Sequence, residues 1–215
     1  MKLLDAVLDL LFPRRCVFCR RLTRNGDTTC PRCRGKLPYT HSASRQRFPH
    51  IPICCSPLFY ENEVRDSLLR YKFGGCSMYA AAYGEYLARC IDENGISCDS
   101  ITWVPLSRRR LRRRGYDQAR LLAEELSRHT GFPCMPMLRK VRNNRPQSLT
   151  GDAKKRQLNV KGVYELIPGT EIRGKRILLV DDIVTTGATL SACAAVLKHS
   201  GAGEINAVTV ARRRD

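Results

Sequence analysis

Apolar and polar positions along the chain form short runs that predict strands and helices in turn. Residues 57–62, 100–106, 176–182 and 204–213 carry the apolar runs of strands. Apolar residues at helical spacing occupy residues 64–69, 78–95, 117–129 and 189–201. Strands that alternate with helices are typical of a parallel sheet flanked by helices, so we expect the α/β fold class.

The N-terminal quarter of the chain lacks this alternation. Residues 39–55 are rich in Pro, Ser and His and predict a loop. An apolar stripe ended by Pro13 predicts a short amphipathic docking helix over residues 2–12; the stripe consists of Leu4, Val7, Leu8 and Leu11. We therefore expect a small N-terminal module, residues 1–55, and an α/β domain, residues 56–215.

The first apolar stretch does not resemble a signal peptide. Asp5 and Asp9 interrupt it, and no small-residue cleavage site follows. No apolar run reaches the length needed to cross a membrane. The sequence therefore predicts a cytoplasmic protein without a membrane span.

Four of the 11 cysteines have the spacing of a metal site. They form the pattern C-x2-C-x10-C-x2-C and are Cys16, Cys19, Cys30 and Cys33. Each C-x2-C turn can direct two thiolates at one ion, and two such turns complete a tetrahedral zinc site with no open position. Two disulfides are the alternative, but a cytoplasmic chain disfavours them. We predict a structural Zn²⁺; whether Cys54 or Cys55 also approaches it stays open.

Two adjacent carboxylates end the strand over residues 176–182. Asp181 and Asp182 are followed by small and hydroxyl residues, 185–189, at the start of a helix. Free N–H groups at a helix N-terminus bind phosphate, and carboxylates nearby suit vicinal hydroxyls, so the segment fits a ribose 5-phosphate. It is not a P-loop, because G-x4-G-K-[ST] is absent. An ordinary N-cap is the alternative, and it leaves the acidic pair unexplained.

The chain is strongly basic, with 38 Lys and Arg against 20 Asp and Glu, a formal charge of +18. Residues 108–161 concentrate this charge, with 16 basic and 4 acidic residues. Six arginines fall within residues 108–114, where they repel one another unless phosphates intervene. A solubilising surface is the alternative for scattered lysines. For the arginine run we expect a polyanionic partner.

These segments together resemble a known family. Residues 178–190, LLVDDIVTTGATL, resemble the phosphoribosyl pyrophosphate (PRPP) motif of type I phosphoribosyltransferases. The whole chain resembles the ComF/ComFC family of competence-associated, phosphoribosyltransferase-like proteins, through residues 16–33, 104–126, 145–166 and 205–213. Some relatives carry a second paired-cysteine knuckle where this chain has ICCS at residues 53–56, so the chain departs from the family pattern there.

The resemblance implies a type I phosphoribosyltransferase-like parallel sheet and a PRPP site. The acidic pair would hold the ribose hydroxyls, directly or through Mg²⁺, and residues 139–159 would form a loop that closes over the site. The implied PRPP-binding residues are Asp181, Asp182, Thr185, Thr186, Gly187, Ala188, Thr189, Pro105, Leu106 and Ser107. The catalytic candidates are Arg108, Arg145 and Gln147, and Arg156 and Asn159 are further loop contacts.

Three functions remain open at this stage. The first is a PRPP-binding protein that handles single-stranded DNA during natural transformation, together with DNA-uptake proteins. The second is an active phosphoribosyltransferase on an unidentified base or nucleotide in nucleotide salvage, and the third is a PRPP sensor. The expected nucleic-acid contacts are Arg109, Arg110, Arg112, Arg113, Arg114 and Tyr116, whose ring could stack on an unpaired base.

Overall fold

The computed structural model describes residues 14–23, 27–41, 44–142 and 162–214. Its helices and strands, in chain order, are α1 (Pro31–Arg34), β1 (Arg45–Phe48), β2 (Ile51–Cys55), β3 (Leu58–Phe59), α2 (Asn62–Phe73), α3 (Tyr79–Glu93), β4 (Ser100–Trp103), α4 (Arg108–Arg114), α5 (Gln118–Thr130), β5 (Leu138–Lys140), β6 (Tyr164–Leu166), β7 (Ile177–Val184), α6 (Ala188–His199) and β8 (Ile205–Arg212). The predicted α/β class is confirmed.

The main sheet has six strands in the order β1-β2-β8-β7-β4, and β3 also pairs with β8. All of its neighbours are parallel except β1, which pairs antiparallel with β2 at the edge. A separate antiparallel pair is formed by β5 and β6. The sheet is therefore the predicted parallel sheet with one antiparallel edge strand.

Residues 39–55 are not the loop that their composition predicts. They contain β1 and β2, whose hairpin turns at His50 with a positive φ of 65°. Ile51 and Cys54 are buried, and β2 pairs with β8 from the far end of the chain. The pattern missed these strands because β1 is a polar edge and the partner of β2 is distant in sequence.

Several other boundaries differ from the sequence prediction. The strand predicted over residues 57–62 is reduced to β3, and the one over residues 100–106 ends before Val104. The arginine run forms helix α4, and β5 extends into the first two residues of the segment predicted as a loop, residues 139–159. The division at residue 55 stays a prediction, although β2 precedes it and lies in the main sheet. The docking helix predicted over residues 2–12 lies outside the described residues.

Two apolar cores cover the two faces of the sheet. One contains α2, α3 and α5 with Leu178 and Val180 of β7. The other contains α6 and the β5–β6 pair with Ile177 and Leu179. Because side chains of a strand alternate between faces, Asp182 belongs to the side of α2 and Asp181 to the side of α6. Among the described residues, no helix is long and apolar enough to cross a membrane.

Candidate functional site

The four predicted cysteines converge on one point. The Sγ atoms of Cys16, Cys19, Cys30 and Cys33 all lie within 4.8 Å of one another, and those of Cys19 and Cys30 are 3.6 Å apart. A tetrahedral zinc site with Zn–S bonds of about 2.3 Å requires S···S separations of about 3.8 Å. The donor set therefore fits a structural zinc site.

Local backbone geometry directs these thiols inward. In the first turn, the Arg20 N–H donates to the Cys16 carbonyl at 2.9 Å, and Arg20 has a positive φ of 64°. In the second turn, Cys30 is the N-cap of α1, and its Sγ accepts the Cys33 N–H at 3.5 Å. An N–H donated to sulfur stabilises the thiolate form that binds metal.

The first cysteine turn is fixed to helix α2. Arg70 donates through Nη2 to the carbonyls of Val17 at 3.0 Å and Phe18 at 2.7 Å. Ser67 donates through Oγ to the Val17 carbonyl at 2.6 Å. The Phe18 ring makes edge contacts with Tyr83 and Tyr86 of α3, at centroid distances of 6.2 and 5.8 Å. The metal module is therefore built into the core on the α2 face of the sheet.

The other cysteines do not join this cluster within the described residues. Cys54 and Cys55 are fully buried in β2. Burial raises the pKa of the Cys54 thiol to about 12, with a further contribution from the charge of Asp181. These two thiols act as small apolar core residues.

The acidic pair lies near the carboxyl end of β7, but the strand continues to Val184, two residues beyond the end that the sequence predicts. Lys72, near the end of α2, places its Nζ 2.9 Å from Oδ1 of Asp182. The two side chains are only 18% and 12% exposed. Burial, and then the neighbouring charge of Asp182, raise the pKa of Asp181 to about 8. Asp182 is thus paired with a lysine, whereas Asp181 binds its proton more tightly than a free carboxyl does.

Sequence reasoning missed Lys72. It lies more than a hundred residues before the acidic pair, on a helix that the apolar pattern explains without it. Only the packing of α2 over β7 brings the two together. A lysine beside the buried Val64, Leu68 and Tyr71 carries no local signal of a partner.

The turn after β4 lies beside the acidic pair. The Val104 N–H donates to the Val180 carbonyl at 3.0 Å, which places residues 104–107 next to Asp181. Asp117, the N-cap of α5, accepts the Leu106 N–H at 3.1 Å and fixes the turn. Burial raises the pKa of Asp117. Pro105 and Ser107 are buried and Leu106 is half-buried.

Residues 185–189 form the turn into α6. Gly187 is the N-cap with a positive φ of 68°, and no side chain in the described chain caps the helix. Thr185, Thr186 and Thr189 are exposed, whereas Ala188 is half-buried. The N–H groups of the first helical turn have no intrahelical acceptors, so they are available to an anion.

Close packing against Phe48 also requires glycine at position 187. A Cβ at this position would lie 2.2 Å from Cδ1 of Phe48, at the end of β1. Real side-chain contacts never come so close, and the left-handed φ adds strain for any other residue. The β1–β2 hairpin therefore packs directly on the candidate phosphate turn.

The arginine run forms α4, which begins at the end of the turn over residues 104–107. Ser107 caps it and accepts the Arg110 N–H at 3.4 Å. Four of its arginines are exposed: Arg108, Arg109, Arg112 and Arg113. Arg110 and Arg114 are half-buried, and Arg114 donates through Nη1 to Oε1 of Gln118 at 2.7 Å.

Tyr116 is less exposed than most arginines of α4, and four of the predicted loop residues lie outside the described residues. Tyr116 is half-buried, its hydroxyl donates to the Tyr71 carbonyl, and its ring lies 5.9 Å from that of Tyr71. The loop over residues 139–159 is described only to residue 142. The candidates beyond that point lie outside the described residues: Arg145, Gln147, Arg156 and Asn159.

The β5–β6 pair contributes a lysine on the Asp181 side of the site. Lys140 Nζ donates to the Tyr164 hydroxyl at 3.3 Å and lies 5.1 Å from the centre of that ring. Burial, and then the nearby charge of Arg110, lower the pKa of Lys140. The acidic pair thus has a lysine nearby on each face of the sheet, Lys72 on one and Lys140 on the other.

The chain is similar to two known protein domains. The chain matches the Phosphoribosyl transferase domain over residues 113–215 and the Double zinc ribbon domain over residues 7–46. Among solved structures, an adenine phosphoribosyltransferase from Thermoanaerobacter pseudethanolicus is similar with a TM-score of 0.43 and 17% identity. That match covers 80% of this chain and 96% of that structure.

Several curated proteins are similar in sequence. DNA utilization protein YhgH of Escherichia coli strain K12 is 30% identical over 203 residues, covering 88% of this chain and 86% of that protein. Competence protein ComFC of Streptococcus pneumoniae is 27% identical and covers 88% and 83%. Competence protein F of Haemophilus influenzae is 36% identical over 116 residues, covering 53% and 50%.

The metal site makes a direct prediction. Protein purified without chelator should contain about one zinc per chain, and Cys30→Ser should lose it. Because Phe18 is packed among the tyrosines of α3, the variant should also melt at a lower temperature. Elemental analysis and thermal denaturation measure both effects. Cys98→Ser, which alters a buried thiol outside the cluster, is the matched control; zinc-free parent protein would contradict the assignment.

Proposed function

Because the chain belongs to the ComF/ComFC family of phosphoribosyltransferase-like proteins, we propose that it binds PRPP at the acidic pair and holds single-stranded DNA on helix α4. Relatives in this family are named for DNA utilization and for competence. In this proposal the protein works in the cytoplasm, beside the proteins that bring DNA into the cell.

One arrangement carries the PRPP half of the proposal. Asp181 and Asp182 lie near the end of a parallel strand, between the turn over residues 104–107 and the turn over residues 185–189. Ligands of open parallel sheets bind beyond the carboxyl ends of the strands. A ribose between a 5-phosphate and a pyrophosphate matches this order, with the phosphate at the α6 N-terminus and the hydroxyls at the carboxylates.

The acidic pair also suits Mg²⁺. Carboxylate oxygens are the protein ligands that this ion prefers, and it usually binds through one or two of them together with phosphate oxygens. Asp182 already forms an ion pair with Lys72. A cation or a ribose hydroxyl that binds this carboxylate therefore has to do so beside the lysine. Asp181 offers its oxygens once its proton has left.

Helix α4 carries the DNA half of the proposal. Its exposed arginines extend from the turn at Ser107, so a phosphate backbone bound there would run along the mouth of the PRPP site. The pyrophosphate of PRPP can engage only the arginines nearest the turn, of which Arg108 is the first. The others are left for a longer polyanion.

The acidic pair can be tested by calorimetry. PRPP should bind only weakly without Mg²⁺, and Asp182→Asn or Asp181→Asn should weaken binding by about tenfold or more, because each removes a charge-assisted contact. Asp99→Asn, at an exposed surface ion pair with Arg176, is the matched control. Equal affinity of the Asp181→Asn, Asp182→Asn double variant and the parent protein would refute the ribose clamp.

Helix α4 can be tested by a salt titration of oligonucleotide binding. Replacing Arg109, Arg112 and Arg113 with Ala should flatten the dependence of log Kd on log salt by about two units, since each phosphate contact on a single strand contributes about 0.7. PRPP binding should change little. Substituting the exposed Arg65, Arg89 and Arg173 removes the same charge from elsewhere and should leave the slope nearly intact.

The same preparation separates binding from transfer. Pyrophosphate release from PRPP, measured with and without single-stranded DNA, decides whether the protein is also an active transferase. If the α4 variant keeps the slope of the parent, the arginines are a solvated surface. A transferase for a small base or nucleotide then becomes the better explanation.

A further inference from the structure

Phe73, which follows Lys72 in the chain, is an exposed aromatic residue near the candidate site. It is the last residue of α2, and 61% of its surface is exposed. The preceding residue, Lys72, contacts Asp182 at 2.9 Å. Arg114, whose guanidinium lies over the Phe73 ring, is close enough to Asp182 for their charges to interact, so Phe73 lies near the carboxylates that we assign to the ribose.

Phe73 also contacts the arginine helix. The guanidinium carbon of Arg114 lies 4.8 Å from the centre of the Phe73 ring, and Gln118 holds that guanidinium in place. Burial lowers the pKa of Arg114, with the charges of Asp182 and its arginine neighbours also acting on it. The ring thus lies next to the last arginine of helix α4, which itself interacts with Asp182.

The structure assigns to Phe73 the stacking of an unpaired base of a single DNA strand. The inference rests on the proposed function and names the residue that reads the base. Stacking uses the π-face that all bases share, and the exposed arginines of α4 then hold the flanking phosphates. A cation beside an aromatic ring and a base is a recurrent arrangement at such sites.

Tyr116, the aromatic residue that the sequence predicts to stack on a base, is less accessible than Phe73. Its hydroxyl is committed to the Tyr71 carbonyl, and its ring is tilted against the Tyr71 ring. Phe73 has no hydroxyl to satisfy, and its contact with Arg114 leaves more than half of its surface exposed. No local pattern points to Phe73, because an aromatic residue at the end of a helix is usually a core residue.

The experiment compares an oligothymidylate with an abasic oligonucleotide of the same length and label. Both carry the phosphates that α4 would bind, but only the first has bases to stack. Phe73→Ala should weaken oligothymidylate binding by about fivefold or more, and should leave abasic binding and its salt slope unchanged. PRPP affinity, measured by calorimetry, should stay within about twofold of the parent.

Conservative variants distinguish stacking from simple apolar contact. Phe73→Tyr should retain oligothymidylate affinity, whereas Phe73→Leu, which keeps apolar bulk without a π-face, should lose it like Phe73→Ala. Leu22→Ala, which truncates another exposed apolar side chain in the cysteine module, is the matched control. Phe73 is exposed, so its variants should fold, and their circular dichroism and zinc content check this.

The outcomes separate this inference from the proposed function. If the parent binds oligothymidylate and the abasic strand equally, with a slope that depends on α4, the function stands and the Phe73 subsite is refuted. Unchanged oligothymidylate affinity in Phe73→Ala, or full affinity in Phe73→Leu, refutes it too. If the parent binds neither strand, both proposals fail together.

Discussion

The rest of this site depends on the need to balance two adjacent carboxylates near the end of a buried strand. Side-chain alternation along β7 directs Asp181 and Asp182 to opposite faces of the sheet. Asp182 meets Lys72 on the α2 face, whereas burial on the α6 face raises the pKa of Asp181. The negative charge of Asp182 is therefore balanced by a lysine, whereas that of Asp181 is reduced because the carboxyl holds its proton more tightly. A ligand that binds both carboxyls has to contact both faces of the sheet.

Helix α2 connects the parts of the protein that the sequence keeps separate. Through Arg70 it holds the first cysteine turn, through Lys72 it reaches Asp182, and through Phe73 it contacts Arg114 of the arginine helix. These three residues span little more than one helical turn. The metal module is thus more than an appendage, because it supports the helix that covers the site.

Some of this arrangement could be predicted from the sequence. The apolar run of β7 and the small residues that follow identify the carboxyl edge of the sheet and the turn into α6, since both signals are local. The cysteine spacing identifies the metal site for the same reason: two short turns are sufficient to define it.

The remaining features depend on contacts between distant segments. Lys72 gains its partner only when α2 packs over β7, and β2 is recognisable as a strand only beside β8. Phe48 explains Gly187 only once the β1–β2 hairpin has folded against the phosphate turn. Periodicity reports which face of an element is apolar, but it does not report which distant residue meets that face.

The most direct test of the ribose clamp is the proton released when PRPP binds. The pKa of Asp181 is raised to about 8, so at pH 7 this carboxyl is mostly protonated, and it has to release that proton to bind Mg²⁺. Calorimetry of Mg²⁺–PRPP binding in buffers of different ionisation enthalpy should show a release at pH 7 that disappears near pH 9. Asp181→Asn should lack this component. Equal proton release by parent and variant at pH 7 would contradict the account.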